Sequence, residues 1–294
     1  MDRHFDNVTV LLGDKNGKYP QGNSLLIRGS DTVVMVDPSM AVVSRAAELA
    51  GRADMVLLSH VHEDHVAGVH LYPKAQVHAH RLDADGIRSI EGIMDIYGYQ
   101  GIDDAVRSFL VDQFHYSARP DALDFDDGGT FDLGGVRIHV IHTPGHTRGH
   151  CVFLIEPGGI LFLGDIELSS FGPYYGDAWS DLEDFERSIA KVRAIEARVW
   201  VSFHHVGVIE DRAQFIERLD RFADRIGERE QAMLDFLSQP RTLEEMVAHR
   251  FLYPAHATFP FIDAVEQRTI EQHLDRLTLQ GRVVRSDEQY RAIA

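Results

Sequence analysis

Met55-Val56-Leu57-Leu58-Ser59-His60-Val61-His62-Glu63-Asp64-His65 runs an apolar strand pattern straight into His60, His62, Asp64 and His65. On an extended segment, side chains two apart face the same way, so His60 and His62 can grip one ion. Asp64 and His65 follow where the chain would turn into a helix, within reach of a second ion. A zinc-type cation takes nitrogen and oxygen donors at about 2.0–2.2 Å. The plain alternative is a solvated polar loop. With 17 histidines in 294 residues, chance matches are common, so spacing has to carry the reading.

Three later apolar runs also end on donors. Val140-Ile141-His142-Thr143-Pro144-Gly145-His146 places His146 after a Pro-Gly turn, and Ile160-Leu161-Phe162-Leu163-Gly164-Asp165 ends on a carboxylate. Val199-Trp200-Val201-Ser202-Phe203-His204-His205 ends on imidazoles. Taken singly, His146 reads equally as a loop histidine and Asp165 as a helix cap. Together they put donors at four strand ends, where open sheets build their sites. Counting from the strand favours His204 as the last donor; counting back from Val208-Ile209 favours His205.

The length allows one large domain, or a large and a small one. At 44% hydrophobic and 26% charged, the chain can bury a core. No run approaches the ~18 apolar residues of a membrane span, and Met1–Asp6 lacks the apolar stretch of a signal peptide. The single cysteine, Cys151, excludes an internal disulfide framework, and a cytoplasmic location is expected. Cys151 opens an apolar strand and reads as core packing. Twenty-nine basic against 46 acidic residues give a net charge of −17, against the basic footprint of nucleic-acid binders.

Strands are expected at 8–12, 24–28, 32–36, 55–59 and 76–79, with a helix near 42–49. Helical spacing of Ile87, Ile90, Met94 and Tyr97 marks an insertion over about 81–121. Strands resume at 130–133, 136–141, 151–155 and 160–163, with turns that argue for antiparallel neighbours. A helix at 181–197, a strand at 199–202 and a helix at 212–226 follow. The fold class is α+β. Residues 1–227 form the main domain, and 228–294 a mostly helical module closed by a two-stranded wing. In that module Thr242 and Glu245 have the spacing of a capping box.

These motifs resemble the metallo-β-lactamase superfamily, with Asp37 closing an early strand in Val-Met-Val-Asp-Pro. The resemblance covers about residues 7–210. It implies an αββα sandwich, two mixed sheets flanked by helices, with two divalent ions at one edge. By similarity His60, His62 and His146 hold the first ion. Asp64, His65 and the last histidine hold the second, Asp165 bridges both, and Asp37 orients the histidine loop without being a ligand. The expected catalytic carboxylates are Asp64 and Asp165. One departure stands out: Ser202-Phe203-His204-His205-Val206-Gly207 replaces the usual Pro-Gly-His-Gly. His204 is the preferred ligand, and a mononuclear site would follow if neither histidine reached the ion.

The implied chemistry is that of a dinuclear metal-dependent hydrolase using a metal-bound hydroxide on a small ester, thioester or lactone. Zinc is the default ion, with iron and manganese suited to the same donors. Phe171, Tyr174 and Tyr175, just past Asp165, are candidate substrate contacts. The last 67 residues resemble the winged-helix tail of some superfamily members, the β-lactamase-like protein 2 group among them. For that group cleavage of single-stranded RNA is implied, so a nuclease or phosphodiesterase is the second reading. Glyoxalase II-type hydrolases share the metal motifs. From Glu228 onward eight arginines face eleven acidic residues, a net of −3. Only Arg276, Arg282, Arg285 and Arg291 hint at a basic patch, so the tail reads first as a packing, pocket-closing or homodimerising element. A metal-stabilised protein without catalysis is the third reading.

Overall fold

Runs of β-branched and aromatic residues form two sheets that bury one face against each other. The computed structural model describes residues 1–99 and 101–293. The first sheet has seven strands in chain order: β1 (Arg3–Phe5), β2 (Val8–Leu11), β3 (Ser24–Arg28), β4 (Val33–Val36), β5 (Met55–Leu57), β6 (Gln76–His80) and β7 (Leu123–Phe125). The second contains β8 (Thr130–Asp132), β9 (Arg137–His142), β10 (Cys151–Glu156), β11 (Ile160–Phe162), β12 (Val199–Val201) and β13 (Val208–Ile209).

Strand β10 shows how period-2 alternation builds the layers. Cys151, Phe153 and Ile155 point into the cluster shared with Leu25, Ile27, Val34 and Val36 of the first sheet. Val152 points outward to Phe185, Ile189 and Phe222 of the helices Leu182–Arg193 and Arg212–Phe236. On the other outer face, Met35, Val56 and Val77 pack against Ile87, Ile93 and Ile96 of the helical insertion. This is the αββα order expected from the sequence.

Strand direction explains why the donors converge. Strands β4 to β7 are parallel, so Asp37 after β4 and His60 after β5 emerge at one edge. In the second sheet β9 and β11 are both antiparallel to β10, and β11 is parallel to β12. The segments carrying His146, Asp165 and His204 therefore leave from one edge too. Gly164, at φ +51°, makes the last step possible: a Cβ there would stand 2.6 Å from His150 Nε2.

Several expected boundaries differ. The helix expected at 42–49 is two short ones, Met40–Val43 and Ala46–Leu49. The helix expected to end at 226 continues as Arg212–Phe236, because the buried face of Phe215, Leu219, Phe222 and Ile226 carries on through Met233 and offsets the roughly 1 kcal/mol that a helix-interior glycine costs. Residues 227 and 228 lie inside this continuous helix. The wing gains a third short strand: β14 (Arg241–Thr242), β15 (Val283–Ser286) and β16 (Gln289–Ala292) pair in the order β14-β16-β15. The capping box at Thr242 and Glu245 forms. No described helix is long and apolar enough to cross a membrane.

Between helices Leu243–His249 and Ile262–Leu279 the chain is tied down by one buried carboxylate. Glu266 accepts from the backbone N–H of Phe251, Leu252 and Tyr253 at 2.8–2.9 Å. Losing a charged acceptor strands several donors, each worth about 1–3 kcal/mol when unsatisfied. Glu266→Ala is therefore expected to lower stability by about 2–4 kcal/mol, read as a lower urea midpoint with an unchanged slope.

Candidate metal centre

Every histidine and carboxylate of the motif set except His205 is buried at the shared sheet edge, none more than 8% exposed. His60 Nε2 lies 3.2 Å from both His62 Nδ1 and His146 Nε2, and His146 Nε2 lies 3.3 Å from Asp165 Oδ2. Donors placed tetrahedrally about 2.0–2.1 Å from an ion stand about 3.3 Å apart. Next to this group, His65 Nε2 is 2.9 Å from Asp165 Oδ1, and His204 Nε2 is 2.7 Å from Asp64 Oδ2. Asp165 thus turns one oxygen to each group.

The donor set fits cations. Asp64 Oδ2 is fully buried and 2.7 Å from His204 Nε2, yet it has no aligned hydrogen bond. Close approach without hydrogen-bond alignment is what atoms converging on a common centre show. Two groups of ligand atoms lie within 4.8 Å of one another: His60, His62, His146 and Asp165, and then Asp64, His65 and His204. A third grouping joins Glu167 to Asp165 and His204.

The far nitrogen of each imidazole is occupied, which fixes ring orientation. His65 Nδ1 donates to Asp37 Oδ2 at 2.8 Å, His146 Nδ1 to the Tyr174 carbonyl at 2.9 Å, and His204 Nδ1 to the Gly17 carbonyl at 2.8 Å. His62 Nε2 lies 3.1 Å from Asp177 Oδ2, and His60 Nδ1 3.1 Å from Ser59 Oγ. Asp37 also accepts from the Ser59 amide at 2.7 Å, so one carboxylate holds both the start and the end of the histidine loop. His150 accepts from the Asp165 amide at 3.0 Å; burial lowers its pKa to about 3 and keeps it a neutral acceptor. Asp83 accepts from Thr147 Oγ1 and the Gly149 amide, bracing the loop that carries His146.

Without ions the charges are held by one another. Burial opposes protonation of His65 and His204, but the Asp165 and Asp64 carboxylates overcome it. They raise His65 well above the usual histidine range and His204 to about 10. Burial would push Asp165 up, yet His65 and His204 hold it well below the usual carboxylate range. Burial, then His65 and His146, keep His60 neutral.

The structure separates His204 from His205. A tight turn closed by the Val206 amide on the His204 carbonyl puts His205 at φ +62°. Its ring is half-buried, 3.8 Å from Glu167 and outside both donor groups. Phe171 and Tyr174 line a cavity of about 300 Å³ that opens over His62, Asp64, His146 and Asp165. Tyr175 does not, which corrects its expected role. Adjacent residues of an extended segment face opposite ways, and Tyr175 is fully buried, its hydroxyl 3.0 Å from His273 Nε2. The sequence reading missed Tyr19, Glu63, Tyr97, Tyr99, Asp177 and Tyr253 in the same wall.

Two donor groups sharing a carboxylate at one edge of an αββα sandwich define a class of metal-binding hydrolase folds. The chain belongs to the metallo-beta-lactamase superfamily, whose family model matches residues 18–225. An atrochrysone carboxyl ACP thioesterase from Aspergillus fumigatus is 26% identical over 73% of this chain and 60% of its own length. A beta-lactamase-like protein 2 homolog from Caenorhabditis elegans is 23% identical over 84% of this chain and 76% of its own. A metallo-beta-lactamase family protein from Thermus thermophilus superposes with a TM-score of 0.73 at 26% identity, covering 98% of this chain and 99% of that one. The chain thus spans about three-fifths of the Aspergillus thioesterase.

Two outcomes test the centre. Metal analysis of purified variants should show His204→Ala falling from about two ions per chain to about one, while His205→Ala keeps both. In the metal-free chain, a histidine pKa raised in the fold adds stability that is complete below the unfolded value of 6.5 and lost as pH rises through about 10. Cation uptake must displace that proton. Zinc affinity, measured by competition with a chromophoric chelator, should therefore climb between about pH 6 and 9; a flat profile would contradict the charge assignment.

Proposed function

We propose that the chain is a metal-dependent hydrolase of small thioesters and esters. One observation carries this reading: a carboxylate shared by two buried donor groups lies at the floor of an aromatic-walled cavity. Divalent ions held there would supply Lewis acidity and make water a nucleophile near neutral pH. In this reading His60, His62 and His146 hold one ion, Asp64, His65 and His204 the other, and Asp165 both. Asp64 and Asp165, at the cavity floor, orient the attacking water. Asp37, Asp177 and the carbonyls of Gly17 and Tyr174 hold the imidazoles, so little reorganisation is needed during the reaction. The rings above exclude bulk water from the scissile bond. The thioesterase name of the Aspergillus relative supports an acyl substrate.

The cavity has no lysine or arginine among its described lining residues. Three of the four tail arginines that hint at a basic patch are engaged: Arg276 pairs with Glu186, Arg282 with Glu230, and Arg285 bonds the Asp287 carbonyl. Cleavage of RNA, which needs several unpaired cations along a backbone, has no such support here. Acetyl and benzoyl thioesters assayed with metal-loaded protein should turn over. Asp165→Ala should cut kcat/KM about 100-fold or more, since even outer-shell changes at metal sites cost about 10–100-fold. Salt-sensitive cleavage of oligoribonucleotides without thioester turnover would overturn the proposal, and so would metal uptake with neither activity.

A further inference from the structure

Parallel rings run outward from the metal centre. His62 stacks on Tyr97 with centroids 5.2 Å apart and planes at 12°, and Tyr97 on Tyr99 at 5.4 Å and 19°. Phe261 continues the row on Tyr99 at 5.6 Å and 11°, and Phe259 on Phe261 at 5.6 Å and 11°. All five rings line the cavity. Such a rail favours flat, apolar groups, by offset stacking or edge contact worth about as much as aromatic pairs in cores.

The hydroxyls along the rail have a defined polarity. Tyr97 and Tyr19 donate to Glu63, and Tyr99 and Tyr174 donate to Asp177. Tyr97 Oη also accepts from the Glu63 amide at 3.1 Å, and the Tyr99 and Tyr174 hydroxyls lie 3.0 Å apart; a phenol has one proton, so toward a bound molecule each oxygen offers only a remaining lone pair. With carboxylates behind them and no cationic side chain among the described lining residues, the wall repels anions and leaves lone pairs without a partner beside an apolar guest.

We propose that this cavity is an acyl-group subsite that selects a neutral aromatic acyl group bearing hydroxyl donors. The assignment rests on the hydrolase reading above for the fate of that group, but not for its binding. The edges and offset faces of the rail contact the ring, and tyrosine oxygens held as acceptors recognise its hydroxyls. A carboxylate or phosphate on the ring is rejected by Glu63 and Asp177. The volume of about 300 Å³ sits at the small end of ligand sites and accommodates one or two fused rings.

Binding and turnover test it separately. Calorimetry on metal-free protein would compare 4-hydroxybenzamide, benzamide and 4-carboxybenzamide, none of which needs hydrolysis. The hydroxylated amide should bind about tenfold more tightly than benzamide, and the carboxylated one more weakly than either. Metal-loaded protein should show the same order in kcat/KM for the three aroyl thioesters with one leaving group. Tyr99→Phe keeps the ring and removes the acceptor, so it should compress the hydroxybenzoyl-to-benzoyl ratio toward one. Phe259→Ala, at an exposed position, should lower the preference for naphthoyl over acetyl without threatening the fold. Equal binding of the three amides, or preference for the carboxylated one or for a trimethylammonio analogue, would overturn the subsite. Acetyl thioester turnover with no discrimination among the aroyl groups would overturn it while leaving the hydrolase standing. Discrimination among the amides without turnover of any thioester would sink the hydrolase and leave the subsite.

Discussion

Asp37, Asp64 and Asp165 lie with five imidazoles in a volume that water barely reaches. Removing a carboxylate from water costs several kcal/mol after relaxation, so the edge of the sandwich is tolerable only if each charge is matched nearby. Asp37 is matched by His65 and Ser59, and Asp165 by His65 and His146. Divalent ions would replace the protons on His65 and His204 and neutralise the rest. The layers behind the site, with alternating residues of β10 locked into two separate clusters, give the rigidity that holds those atoms at ligand spacing.

Much of this was legible because the decisive signals are local. A donor two residues from another on an extended segment, or directly after a buried strand, is a pattern of neighbours. Parallel strands then bring such ends to one edge whatever the loops do. His65 and Asp165 could be read this way although 100 residues separate them. Tyr174 and Tyr175 could not be told apart, since which of two neighbours faces the cavity depends on how the loop is clamped by Arg229 and Gln272. Backbone carbonyls leave no trace in composition, so the Gly17 and Tyr174 oxygens that aim His204 and His146 were invisible. The fused helix through Gly227 was missed because a glycine reads as a stop unless its surroundings are known.

The tyrosines serve structure and selectivity at once. Their protons satisfy Glu63 and Asp177, which would otherwise be bare charges near the donor groups, and Asp177 in turn sits against His62. One network therefore sets ring orientation at the centre and hydrogen-bond polarity along the wall. A change in either is felt in the other, which is why ratios between substrates are more informative here than absolute rates.

Tyr253, Phe259 and Phe261 reach the cavity from beyond the stretch, 18–225, that carries the family pattern. The outer end of the guest-facing rail is thus written on a later stretch than the cation-holding atoms, while its inner tyrosines share their stretch. Drift or exchange in the trailing stretch could redirect what is accepted while every cation-holding atom stays where it is, so diversification within such a lineage need not pass through an inert ancestor.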